Sequence, residues 1–251
     1  MLKIESLQKS FGGVSAINDV SLEFATGSLT AVIGPNGAGK SSLFNLISGA
    51  LRPDAGRILL EGSDIAGLPA PDIVRRGIGR AFQIASIFSS LTVREAILGA
   101  VNAHRRWYAR LDRRFPLAEA HAQADAVLEL VGLTAVAKTL SGSLSHGDQK
   151  VLDIALALAL EPRVLLLDEP TAGMGPEERW QMMETVYQLW EQKKMTLIFI
   201  EHDMDIVFKF AQTIRVLSYG CVLAEGAPEE VRRNPKVIEA YLGAKYDAEH
   251  A

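Results

Sequence analysis

The chain has 251 residues, 48% of them hydrophobic and 22% charged, an ordinary globular balance that can build one large α/β domain with a sizeable core. A formal net charge of −4 argues against general nucleic-acid binding, which usually shows a basic surplus, although local basic patches remain open. The single cysteine, Cys221, excludes a disulfide framework and zinc-type spacing and points to a reducing compartment.

In chain order, Met1–Glu5 shows neither a long apolar core nor a cleavage site, so no secretion signal is expected. Val20, Leu22 and Phe24 alternate with polar neighbours, as in a strand with one wet face. After the Thr26-Gly27 turn, Leu29 to Ile33 is a continuous apolar run suited to a strand buried on both faces. Leu43, Leu46 and Ile47 then recur at helical spacing, and Arg57 to Leu60 reads as another strand. From about Ser90 to Leu140 strand signals vanish. Thr92 with Glu95 forms a candidate capping box, and Ala118 to Val131 is Ala-rich and helical. This block is expected to be a helical insertion in an α/β core. The core resumes with strands at Val164–Leu167, Thr196–Ile200 and Arg215–Leu217, with a helix from Pro176 to about Glu191 between the first two. Alternation of strands and helices implies a largely parallel sheet. From Pro228 the tail reads as two short helices split by Asn234-Pro235. The richest apolar region, Val151 to Leu167, is broken by Asp153, Glu161, Pro162 and Arg163. A membrane-spanning helix needs about 20 mostly apolar residues, so a membrane role is expected only through a partner.

Chemistry concentrates at a few places. Gly34-Pro35-Asn36-Gly37-Ala38-Gly39-Lys40-Ser41 fits G-x-x-x-x-G-K-[ST] in full, between a buried strand and a helix that continues through Ser42. Glycines let backbone N–H groups turn around phosphate oxygens, and the helix N-terminus favours negative charge. Lys40 would reach the β- and γ-phosphates of a nucleoside triphosphate, and Ser41 would ligate Mg²⁺. Asp168 and Glu169 end an apolar strand, where loops gather at the sheet's carboxyl edge. Asp168 is placed to hold Mg²⁺ and Glu169 to orient or deprotonate an attacking water. The bland alternative is two solvated acids, weak beside a complete phosphate loop. Ser145 taken alone reads as a helix N-cap. Arg105, Arg106, Arg110, Arg113 and Arg114 mingle with Trp107, Tyr108 and Phe115. Nucleic acid or anionic lipid would suit that mixture, but a solvated face fits the acidic total charge better.

Leu144-Ser145-His146-Gly147-Asp148 resembles the Leu-Ser-Gly-Gly-Gln signature of ATP-binding-cassette (ABC) ATPases, and the phosphate loop and the Asp168-Glu169 strand stand in the order of that family. His146 replaces a glycine and Asp148 the glutamine. The resemblance spans nearly the whole chain. It implies an α/β P-loop NTPase core with a mostly parallel sheet, an antiparallel β subdomain and an inserted helical subdomain, with residues 1–89 and 161–251 as core and 90–160 as the helical part. ATP and Mg²⁺ are the implied cofactors. Gln83 matches the glutamine that contacts Mg²⁺ or the lytic water, His202 the switch histidine that senses the γ-phosphate, and Phe11 the aromatic that stacks on adenine. Ser145 and Gly147 would face the phosphate bound by a second cassette, so a homodimer or a heterodimer with a related ATPase is implied. Gly175 stands where many relatives carry aspartate.

Phe11-Gly12-Gly13, Gly77 to Gln83, Ala172 to Pro176 and Asn234 to Gly243 are similar to the branched-chain (hydrophobic) amino-acid importer ATPases. Those sit peripherally at the cytoplasmic face of the cell membrane, beneath permeases fed by an extracytoplasmic solute-binding protein, and no nucleic acid is expected as a partner. Urea, amide and lipopolysaccharide transport ATPases share part of the pattern. A soluble ABC ATPase and a degenerate regulatory module remain as rivals.

Overall fold

The computed structural model describes residues 1–81, 88–105 and 118–242. The chain forms two compact units, residues 1–73 with the chain from 194 onward, and residues 74–193.

The first unit opens with β1 (Leu2–Phe11) and β2 (Val14–Phe24), an antiparallel hairpin that turns at Gly12-Gly13. β1 also pairs with β4 (Ala55–Leu60), which carries the short β5 (Ser63–Asp64), giving an antiparallel sheet in the order β2-β1-β4-β5. Val20, Leu22 and Phe24 face inward as their alternation requires. β1 escapes a reading by alternation because its register with β2 shifts after Ile4 and again after Leu7.

A second sheet in this unit has β3 (Leu29–Ile33) between β8 (Thr196–Ile200) and β9 (Thr213–Ser218), parallel to both. β10 (Cys221–Gly226) adds antiparallel to β9. Every residue of β3 and β8 is buried, as continuous apolar runs in a covered parallel sheet should be. The one polar side chain of β8 is satisfied: Thr196 Oγ1 accepts from Gly27 N–H at 3.0 Å and donates to the Ala25 carbonyl at 3.3 Å. Helix α1 (Lys40–Ile47) follows β3 and buries Leu43, Phe44, Leu46 and Ile47. α2 (Ala70–Arg75) begins in this unit and ends in the second. α7 (Met204–Phe210) is capped by Asp203, whose side chain accepts from Ile206 N–H at 3.3 Å. α8 (Pro228–Arg232) and α9 (Pro235–Val237) are the two short tail helices, and the Asn234 side chain caps the second.

The second unit contains the parallel pair β6 (Ile78–Ala81) and β7 (Val164–Asp168), with α3 (Val93–Arg105), α4 (Ala118–Leu130), α5 (His146–Leu158) and α6 (Pro176–Lys193). The capping box of α3 is formed: Glu95 Oε2 accepts from Thr92 N–H at 2.8 Å, and Thr92 Oγ1 accepts from Glu95 N–H at 3.3 Å. The bond from Thr92 N–H, and after it one that the Thr92 hydroxyl donates to Glu95 Oε2 at 2.7 Å, hold the Glu95 carboxyl below its usual range. Arg94 grips Asp125 with a two-nitrogen fork at 2.7 and 2.8 Å, tying α3 to α4. Between residues 90 and 140 the described residues hold helices and turns, with a lone bridge from Thr92 to Leu140.

α5 carries a buried charge on its inner side. Lys150 is 5% exposed, and Asp153, three residues on, is half-buried with an Oδ2 that takes no hydrogen bond among the described residues. Burial pushes the Asp153 carboxyl up to about 6, with the Lys150 charge opposing. The folded chain therefore binds a proton more tightly than the unfolded chain does. That makes stability fall as pH rises from the unfolded carboxylate value toward 6. Asp153→Asn mimics the protonated form and should be more stable than the parent at pH 7.5 by about 1–2 kcal/mol, after allowance for solvent reaching this group. Denaturant titrations at pH 4.5 and 7.5 should show the difference shrinking at the lower pH; an equal or larger gap there contradicts the account.

Candidate functional site

The phosphate loop starts where β3 ends. A Cβ on residue 34 would overlap the carbonyl oxygen of Leu217, so only glycine fits. At Gly39, with φ at +103°, a Cβ would stand 2.5 Å from the Ala16 carbonyl oxygen. The turn between β9 and β10 braces the loop further. Gly220 N–H donates to the Ala38 carbonyl at 3.0 Å, and the Gly220 carbonyl accepts from Asn18 N–H at 2.8 Å. Lys40, only 7% exposed, folds its ammonium back onto the carbonyls of Gly34 at 2.7 Å and Pro35 at 3.1 Å. Its charge thus lies inside the loop. Asn36 and Gly37 are exposed at the loop's tip, Ser41 is exposed on the first turn of α1, and Ser42 is half-buried beside it. This loop fits a polyphosphate: a fixed cation, amides at a helix N-terminus and no side chain to fill the cradle.

Phe11 ends β1 with 46% of its surface exposed, and the Lys9 ammonium lies 5.5 Å from its ring centre. An exposed ring of this kind can stack on a base. His202 is exposed two residues beyond the fully buried β8, and its backbone N–H donates to Glu201 Oε2 at 3.2 Å. Phe11, His202 and the phosphate loop all belong to the first unit.

In the second unit Asp168 ends β7 and Glu169 follows. Arg80 of β6 donates through Nη2 to Asp168 Oδ2 at 2.8 Å, both side chains being about nine-tenths buried, at 9% and 11% exposed. Glu169 has φ at +49°, a left-handed conformation that a non-glycine residue adopts only under constraint. Its carbonyl is fixed from two sides, by Ala172 N–H at 3.1 Å and by a longer contact from the Lys150 ammonium at 3.4 Å. Lys150, Asp153 and Asp168 line one small cavity, together with Ala81, Leu167 and Pro170. Oxygen donors suit Mg²⁺; in this unit the Asp168 carboxylate has a second oxygen beyond the one that Arg80 holds.

Ser145 caps α5: its Oγ accepts from Asp148 N–H at 3.1 Å and donates to Asp148 Oδ2 at 2.8 Å. Asp148, where the signature pattern has glutamine, thus closes a local box with the serine. Gly147 sits in the first turn, where its amide adds to the open N-terminal end. His146 Nε2 lies 3.2 Å from the Ala172 carbonyl, and a Cβ on Gly173 would come within 2.9 Å of the same nitrogen. Gly175 N–H donates to Glu178 Oε2 at 3.1 Å just before α6. Gln83 and most of the Arg/aromatic cluster after residue 105 lie outside the described residues.

Motif reading passed over Arg80, Lys150 and Asp153. Arg80 stands in the segment that leads to Gln83, and Lys150 with Asp153 forms a charged pair three apart inside an apolar helix. Opposite charges at that spacing in an apolar run are the signal the chain offers.

The ABC transporter family profile matches residues 17–172, and that of the branched-chain amino acid ATP-binding cassette transporter matches residues 221–247. The chain is 39% identical to BraF of Pseudomonas aeruginosa, a high-affinity branched-chain amino acid transport ATP-binding protein, over 97% of this chain and 98% of that one. LivG of Escherichia coli, described in the same words, is 38% identical over 97% and 98%. The crystal structure of a nucleotide-free ATP-binding cassette from an ABC transporter superposes with a TM-score of 0.85 at 32% identity, covering 97% of this chain and 99% of that one. No helix among the described residues is long and apolar enough to cross a membrane. With matches of this extent over an α/β P-loop fold, the chain belongs to the ABC transporter family as an ATP-binding subunit homologous to the branched-chain amino-acid transport ATPases.

Proposed function

We propose that this chain hydrolyses ATP with Mg²⁺ and powers uptake of branched-chain or other hydrophobic amino acids through membrane permeases. The observation that carries ATP binding is the phosphate loop, glycine-only at positions 34 and 39 and holding the buried Lys40 charge. The solute class is supported by likeness to BraF and LivG, and by the match over 221–247, which takes in β10, α8 and α9.

In this reading the loop amides and Lys40 hold the phosphates, Phe11 stacks on the base, and Ser41, Gln83 and Asp168 hold the metal. Bound Mg²⁺ neutralises charge on the phosphate oxygens. Glu169, its backbone fixed in a left-handed conformation, accepts a proton from the attacking water or orients it, and His202 senses the terminal phosphate. Ser145 and Gly147 act on the phosphate bound by a second cassette, in a homodimer or a heterodimer with a related ATPase. ATP favours the closed dimer because it binds that state better, and hydrolysis releases it. Such a subunit works peripherally at the cytoplasmic face of the membrane, and co-purification with permeases tests that placement.

Glu169→Gln should keep ATP affinity and lower phosphate release by about 10²–10⁴-fold, the usual range for loss of a general base. A phosphate-release assay beside nucleotide titration reads both numbers, and unchanged turnover removes Glu169 from the role. Ser145 has two duties to separate, since it caps α5 in its own subunit. Ser145→Ala should cost about 1 kcal/mol of stability through the lost cap, and Ser145→Gly only a few tenths. Both should reduce hydrolysis by about tenfold or more while leaving nucleotide affinity of the monomer intact. If the glycine variant hydrolyses ATP normally, the hydroxyl acts only as a cap.

A further inference from the structure

We infer that Arg80 is a positioning residue for Asp168 that keeps the metal site closed to free divalent cations until a nucleotide arrives. The inference rests on the reading of Asp168 as a metal ligand. A strand-end carboxylate such as that of Asp168 can serve as one ligand to a divalent cation that also keeps water or phosphate oxygens. Here a guanidinium already occupies one oxygen of that carboxylate. Arg80 and Asp168 stand on the paired parallel strands β6 and β7, in register at Arg80↔Leu166 and Ala81↔Leu167, so strand pairing brings the two positions close and the ion pair joins their side chains. Their 2.8 Å contact is about nine-tenths buried at each end, where solvent screens it weakly. A guanidinium does not lose its proton at any working pH, so the block is permanent rather than titratable. Lys150 adds a second buried cation along the cavity that Asp168 lines.

The consequence is electrostatic. A bare divalent cation must share Asp168 with a fixed positive charge, whereas a cation arriving on a triphosphate brings its own compensating negative charge. Arg80 thereby makes metal recruitment depend on nucleotide, and it fixes one oxygen of the Asp168 carboxylate.

The test is Mn²⁺ binding by the full chain, followed by electron paramagnetic resonance of free Mn²⁺ with and without a non-hydrolysable ATP analogue. Arg80→Met should raise nucleotide-free Mn²⁺ affinity by about tenfold or more. Adding Asp168→Asn in the same chain should erase that gain. Arg80→Lys keeps the charge but loses the planar fork, and should raise affinity by about threefold; it decides the matter if Arg80→Met does not fold. Nucleotide-free affinities within twofold of the parent in every folded Arg80 variant overturn the inference. Asp168→Asn alone separates the two readings. If it leaves Mn²⁺ binding with the analogue unchanged, the metal role of Asp168 falls, and this inference with it. If it weakens that binding while the Arg80 variants stay flat, only the role of Arg80 falls.

Discussion

The carbonyl oxygens of Leu217 and Ala16 crowd the backbone at residues 34 and 39 so closely that no side chain can stand there. The first unit is arranged around that crowding. β3 ends at Ile33, just before Gly34, flanked by the parallel strands β8 and β9, so the loop leaves the sheet at a fixed point. The β9–β10 turn then grips the loop from the side through the Gly220–Ala38 hydrogen bond, and β2 supplies the Asn18 contact to the same turn. Rigid backbone on several sides leaves the loop's amides oriented before any phosphate arrives, and such preorganisation lowers the entropy lost on binding.

The second unit solves a different problem, that of keeping acidic groups at the end of a hydrophobic strand. β7 is buried until its last residue, so Asp168 emerges in a setting of weak screening. Arg80 answers its charge directly, while Lys150 reaches the backbone of Glu169 rather than its carboxylate. The unusual backbone conformation of Glu169 is held by two donors on its own carbonyl. Strained backbone persists only where the surroundings over-determine it, and this residue meets that condition.

How much of this was legible in the chain depends on whether a feature is local. The phosphate loop, the apolar strands β3, β7 and β8, the α3 capping box and the split tail helices are written in consecutive residues, and each could be read there. β1 was hidden because its register shifts break the alternation, and Ser6 has φ at +45°, off the extended path. β10 and β6 are short and mixed in polarity, so no period announces them. The ion pair of Arg80 with Asp168 joins residues on two strands, and only the pairing of those strands brings them together. Ser145 reads as a cap from the chain alone, but the part of Asp148 in that cap does not, because it depends on the carboxylate accepting from the serine hydroxyl.

The imidazole of His146 rests over Gly173, with its Nε2 against the neighbouring Ala172 carbonyl. These two positions therefore constrain one another. A methyl group at 173 would collide with the ring, so any larger residue there demands a smaller one, or a swung ring, at 146. A histidine where the signature pattern has glycine is sterically possible in this chain because the loop after Glu169 has dispensed with a side chain of its own.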